Sequence, residues 1–240
     1  MFIVFALLYA PIVVLIIFSF NDGGSLNEFT TFSFAWYKEL FADSEALDAL
    51  KNSLILAGLS AGFAGVIGTL GAIGMAQRTL RGKAKASWLD TFMETMVTLP
   101  IMIPEIILGL ALLVVFNAVG FQSNEVRLVL AHTTFCIPYI FLTVKSRLVG
   151  MDVALFDAAR DLGASPQQVM LDITLPLCKP AIISGAFLAA AMSLDDFVIS
   201  FFVYGAGQGT LPILIYSSVK VGVSTQVNAV LLLEFIDHPI

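Results

Sequence analysis

Three carboxylates interrupt stretches that are otherwise almost wholly apolar. Glu105 lies in the run from about Phe92 to Val119, and the adjacent Asp195 and Asp196 lie in the run from about Ala181 to Tyr204. Ionised carboxylates are costly in hydrocarbon, so in such runs they face a cavity, a partner or a ligand. No Lys or Arg lies in the core of any apolar run. Three options follow: the acids are protonated, they pair with another subunit, or they line a route for a cation. Carboxylates spaced among aromatic surfaces suit a ligand with several ammonium groups on an apolar chain, through charge-assisted hydrogen bonds and cation–π contact. Asp195 and Asp196 stand about 100° apart on a helix, so both cannot face one narrow path equally. One lines the path while the other caps or pairs. Glu105 follows Pro104, where a helix breaks and freed backbone groups need partners, so a structural reading stands beside the pathway one.

Other chemistry is missing from the sequence. No GxxxxGK[ST] phosphate loop occurs, so the chain has no means of its own to hydrolyse ATP. Nucleophile, base and orienting acid form no recognisable set, and the reading is not an enzyme. Cys136 and Cys178 lie far apart, without the spacing of a metal site or a disulfide framework. A formal net charge of −6 argues against a nucleic-acid partner. No cofactor is expected on this chain.

The elements that position these acids are membrane helices. Of 240 residues, 58% are hydrophobic and only 12% charged, with a mean hydropathy of +0.93. That charge is roughly half of what a soluble domain carries. A hydrocarbon core of about 30 Å takes roughly 20 helical residues. Apolar runs that meet or approach this length cover Phe2–Phe20, Ser53–Gln77, about Phe92–Val119, about Leu128–Val144 and about Ala181–Tyr204. A sixth begins near Val227 but meets Glu234, Asp237 and Pro239. The expected fold is all-α, one polytopic helix bundle of about six spans over residues 1–240, the last apparently truncated.

Arg78, Arg81, Lys83 and Lys85 form an acid-free basic segment, which the positive-inside rule places in the cytoplasm. The segment Asn21–Lys51 is rich in acids and reads as external. Counting crossings puts residues 145–180 inside, residues 205–226 outside and the N-terminus inside. The first run lacks the basic leader and cleavage site of a signal peptide. Gly58, Gly62, Gly65, Gly68, Gly71 and Gly74 read as a stripe of close helix packing. Glu94 reads as an interfacial or gate residue and His132 as a hydrogen-bonded structural histidine. Trp36 reads equally as an interface anchor or a ligand contact.

The inside segment between the fourth and fifth runs has a design of its own. Val153 to Leu162 is a short helix candidate, and Gly163 sits where a left-handed stop is cheapest. Ser165, Pro166 and Gln168 then form an N-cap, a first helical position and a capping box. A second short helix is expected to end at Pro176. Asp157-Ala158-Ala159, three residues, Gly163, nine residues, Ile173, one residue and Leu175-Pro176 together resemble the coupling loop of permease subunits of binding-protein-dependent ABC importers. Asp157 stands where that family usually has Glu.

The resemblance runs from Tyr9-Ala-Pro11 to about Asn228 and is greatest for the polyamine (spermidine/putrescine) branch. There it rests on Trp36-Tyr37, Pro104-Glu105-Ile106, Tyr139 to Arg147, Ser193-Leu194-Asp195-Asp196 and Tyr216 to Val223. It implies a type I importer permease in a bacterial inner membrane, with a coupling loop at about 148–180. It also implies a homologous second permease, two ATPase subunits carrying ATP and Mg, and an external polyamine-binding protein. Glu105, Asp195, Asp196, Trp36 and Ser193 would line the substrate pathway. Asp157, Ala158, Ala159, Gly163, Ile173, Leu175 and Pro176 would couple it to the ATPase. Two alternatives stand: a different small solute, or an ion-coupled secondary cation carrier.

Overall fold

In hydrocarbon every backbone N–H and C=O must find its partner within the protein, and a helix achieves this inside one segment. The computed structural model describes residues 2–22, 28–80, 88–204 and 209–221. Among them the regular secondary structure is helical, apart from one isolated bridge, Asn21 to Phe32. The helices are α1 (Phe2–Phe18), α2 (Ala35–Ala42), α3 (Ser44–Leu80), α4 (Trp88–Met102), α5 (Glu105–Val119), α6 (Asn124–Val149) and α7 (Val153–Asp161). After these come α8 (Pro166–Gln168), a π-helical turn (Val169–Thr174), α9 (Leu175–Asp195), α10 (Val198–Val203) and α11 (Leu211–Val221).

Ser44–Ala76, Asn124–Val149 and Pro166–Asp195 are each long and apolar enough to cross a membrane, and α4 with α5 makes a fourth, bent span. Val4–Phe18 and Leu211–Lys220 are shorter apolar helices. The all-α, multi-span expectation holds. The sixth run, from Val227, and the suspected truncation lie outside the described residues, as do Arg81, Lys83 and Lys85.

The centre is α3, α6 and α9 packed on one another. Ala64, Ala72, Phe141, Ile140, Cys178 and Ala189 are buried there, small residues facing large ones. The glycine stripe matters at one point rather than along its length. A Cβ on Gly68 would meet the Ile137 carbonyl oxygen at 3.0 Å and the Phe141 nitrogen at 3.1 Å. From α9, Gly185 presses equally on α6, its Cβ position 3.1 Å from Ile140 Cα. Gly71 makes ordinary contact with Phe141, while Gly58, Gly62, Gly65 and Gly74 have nothing within 4 Å. Gly62 and Gly65 instead line an open groove of about 780 Å³ between α3 and α9.

Three expected boundaries are corrected, and the break expected at Pro104 is present. The second run is a helix from Ser44, well before Ser53, because the Asp43 carboxylate accepts from the N–H groups of Glu45 (2.9 Å) and Ala46 (3.3 Å). The third run is two helices, bent by 108° at Ile103–Pro104; Pro104 has no N–H to continue α4, and its carbonyl opens α5 by accepting from Ile107 and Leu108. The fifth run breaks at Asp196, whose backbone is extended. Pro176 does not end the coupling unit. The π turn shifts the register so that Leu175 N–H donates to Met170, and Thr174 Oγ1 donates to the Val169 carbonyl at 3.0 Å. Pro176 then falls in the first turn of α9, directly after the π turn.

Gly68→Val should therefore lower stability by about 1–3 kcal/mol through overpacking, whereas Gly74→Ala should leave it unchanged or slightly raised. Thermal unfolding of the purified chain in detergent compares the two.

Candidate cation pathway and coupling loop

His132 on α6 is fully buried and joins three elements. Its Nδ1 lies 2.7 Å from Ser193 Oγ on α9, and its Nε2 lies 2.9 Å from Ser200 Oγ on α10. The same Nε2 is 3.4 Å from Asp196 Oδ2. Asp196 occupies the break between α9 and α10. Its carboxylate accepts from the N–H groups of Ile199 (3.2 Å) and Ser200 (2.9 Å), so it caps α10 from the side where the helix dipole favours negative charge. Asp196 and Ser193 thus turn inward onto His132, and both are buried. Asp195, one residue earlier, is exposed. The 100° separation on a helix is resolved as one cap and one open carboxylate.

Glu105 is the first residue of α5 and is exposed. α5 packs on α10, where a Cβ on Gly109 would come 3.2 Å from the Phe202 ring. This packing brings Glu105 within electrostatic reach of Asp196 and of the half-buried Tyr139. Neither Glu105 nor Asp195 has an ion-pair partner among the described residues. Beyond Asp195, the Phe197 ring stacks at a tilt on exposed Tyr216, centroids 4.4 Å apart, and Phe201 lies 5.3 Å from Phe197. Open carboxylates beside aromatic faces can hold an organic cation.

Glu94, read as an interfacial or gate residue, pairs with Lys145 near the end of α6, tying α4 to α6. Trp36 donates its indole N–H to the Asn21 carbonyl at 2.7 Å and packs beside Leu40, Ala46 and Leu211. That bond leaves only its ring face for any ligand.

The loop after α6 matches its sequence design closely. Asp152 caps α7 by accepting from Ala154 N–H. Gly163 has φ +85°. Its N–H donates to Arg160 and that of Ala164 to Ala159, the paired bonds of a Schellman stop. Ser165 and Gln168 form the reciprocal capping box. Phe156 is buried and α7 packs on the π turn, while Asp157, Ala158 and Gly163 lie on the open face with Leu162, which is 89% exposed. Ile173 is half-buried, and Leu175 and Pro176 are exposed at the foot of α9.

The profile of the family described as binding-protein-dependent transport system inner membrane component matches residues 68–233. The chain belongs to this family. Among its relatives is the spermidine/putrescine transport system permease protein PotC of Escherichia coli K12, 41% identical over 226 residues, covering 94% of this chain and 83% of that protein. The putrescine transport system permease protein PotI of the same organism is 40% identical over 231 residues, covering 94% and 80%. The fold agrees with a bacterial alginate ABC transporter solved with a periplasmic protein: TM-score 0.76, 18% identity, 98% of this chain and 86% of that one. It agrees also with the MetNI methionine ABC transporter: TM-score 0.66, 23% identity, 79% and 88%.

Within this permease, sequence reasoning missed Ser200 and the Lys145 partner of Glu94. Lys145 falls one residue past the fourth apolar run, which hid it. Ser200 had a signal available: a serine four residues after a mid-run Asp suits a restarted helix with its cap. Replacing His132 with Ala leaves Ser193, Ser200 and Asp196 buried short of a partner. His132→Ala should therefore cost about 2 kcal/mol or more, and His132→Gln should recover part of it. Thermal melting of the two variants, set against the unaltered chain, reads this directly.

Proposed function

We propose that this chain is one of two homologous permease subunits of an ATP-driven importer, passing polyamines of the spermidine and putrescine kind across the inner membrane. The observation that carries this reading is the 40–41% identity, over nearly the whole chain, to permeases of spermidine/putrescine and putrescine systems. Glu105 and Asp195 support it, being open carboxylates without counter-ions among the described residues, and Asp195 stands two residues before Phe197, whose ring lies against Tyr216. A polyammonium chain meets such a surface with charge at its nitrogens and methylenes between them.

The mechanism is alternating access. A loaded external binding protein docks, and ATP with Mg closes two separate ATPase subunits. The open face of α7, from Asp157 to Gly163, rests in a cleft of the ATPase. Displacement there passes from α7 to the π turn packed against it and along one continuous helix from Pro166 to Asp195. Thirty helical residues reach about 45 Å, so this beam joins the coupling loop to the break at Asp196. Residues 1–240 act as a single permease domain with its N-terminus in the cytoplasm, and the cation moves between the two permeases past Glu105 and Asp195.

Uptake of labelled spermidine and putrescine into proteoliposomes holding the assembled transporter tests the reading. ATP-dependent uptake is expected in the unaltered complex. Gly163→Val forces a branched side chain into left-handed backbone, at roughly 1–2 kcal/mol, and should reduce uptake at least tenfold while the chain still folds. Uptake without ATP would make the chain an ion-coupled carrier. ATP-driven uptake of another solute, with none of polyamines, would overturn the cargo.

A further inference from the structure

The two halves of the bent span rest on different supports. α5 packs on α10, whereas α4 packs chiefly on α6. No residue of α4 is fully buried, and Val97 is half-buried against the core. Between the halves lies the 108° bend at Ile103–Pro104. Pro104 has no N–H with which to continue the ladder of α4, so the backbone there is free to act as a hinge. Glu105 is the first residue beyond it, on the half that α10 holds.

A charged contact fixes where α4 lies. Lys145 on α6 donates to the Glu94 carboxylate, and its Nζ stands 6.0 Å from the centre of the Phe141 ring. Glu94 precedes Met102, the last residue of α4, by eight positions, which is about 12 Å of helix. Lys145 is four residues from the end of α6 at Val149, and α7 begins at Val153. Arg147, two residues on and about 200° round the helix, donates to the Leu177 carbonyl of α9 at 3.3 Å. The end of α6 that runs into the coupling loop therefore grips α9 on one side and α4 on the other. The two side chains of the pair are 27% and 40% exposed. Ion pairs so open to their surroundings add little to stability; what this one sets is the position of α4.

We propose that the Glu94–Lys145 pair is the positioning contact through which the coupling loop moves α4, and that α4 is an inner gate hinged at Pro104. Displacement of α7 shifts the end of α6, and Lys145 carries Glu94 with it. α4 then turns about Pro104 while α5 stays on α10. Glu105 keeps its place, and the route inward from it opens or closes with α4. This arm works beside the helix from Pro166 to Asp195, so one movement at the loop reaches both Asp195 and the exit beyond Glu105. The inference rests on the importer reading given above.

ATP hydrolysis and uptake of labelled spermidine, measured together in proteoliposomes of the assembled transporter with its binding protein, test it. Glu94→Gln and Lys145→Met should melt as the unaltered complex does and hydrolyse ATP within about twofold of it. They should nevertheless take up spermidine at least fivefold more slowly, so that more ATP is hydrolysed per molecule imported. Glu94→Lys/Lys145→Glu, which restores the pair with its charges exchanged, should recover at least half of the lost uptake. Undiminished uptake in the single variants overturns the proposal, and so does charge exchange without recovery. Hydrolysis, uptake and melting temperature that fall together mark a pair that only holds the fold, and overturn it equally. If the unaltered complex imports a different solute with ATP, the polyamine reading fails, and the same ratio taken with that solute decides the pair. Uptake that needs no ATP overturns the importer and the pair together.

Discussion

Hydrocarbon offers no hydrogen bonds, so each place where a membrane helix stops must be satisfied by the protein itself. This chain stops twice inside apolar runs, at Pro104 and at Asp196, and each stop is answered locally. The Pro104 carbonyl opens α5 by accepting two N–H groups, and the Asp196 carboxylate opens α10 in the same manner. The second stop holds a buried carboxyl group. It persists because His132 and Ser200 lie against Asp196, and His132 reaches back to Ser193 on the preceding helix. Removing any of these leaves a buried polar group unpaired, which is costlier than the net worth of the bond it made.

The two stops are also neighbours in space, because α5 packs on α10. Their adjacency places both open acids, Glu105 and Asp195, near one break, and Asp195 stands two residues before Phe197, whose ring meets those of Phe201 and Tyr216. From that region a rigid helix leads through the π turn to the coupling loop. In the proposed mechanism, charge handling and mechanical coupling meet at the same break. A permease needs such a meeting point, since movement at the loop must alter what the cation encounters.

Much of this was legible in the residues. Apolar length located the spans, and Gly163, Ser165 and Gln168 declared their turn and caps because those motifs are local. The division of labour between Asp195 and Asp196 was readable only as an alternative. Deciding it required knowing which carboxylate faced His132, sixty-three or more positions away in sequence. The glycine stripe misled for the same reason: spacing told which face the glycines shared, not that only Gly68 met a neighbouring backbone. Pro176 misled because a π turn can absorb a proline that ordinary helical registration would reject.

The central claim is that of two adjacent carboxylates one holds the fold and the other meets the cargo. Measuring thermal stability and ATP-driven polyamine uptake side by side for Asp195→Asn and Asp196→Ala tests it most directly. Asp195→Asn should melt as the unaltered transporter does and lose uptake about tenfold, while Asp196→Ala should melt lower and assemble poorly. A stable Asp196→Ala transporter, or an Asp195→Asn transporter with undiminished uptake, would contradict the account.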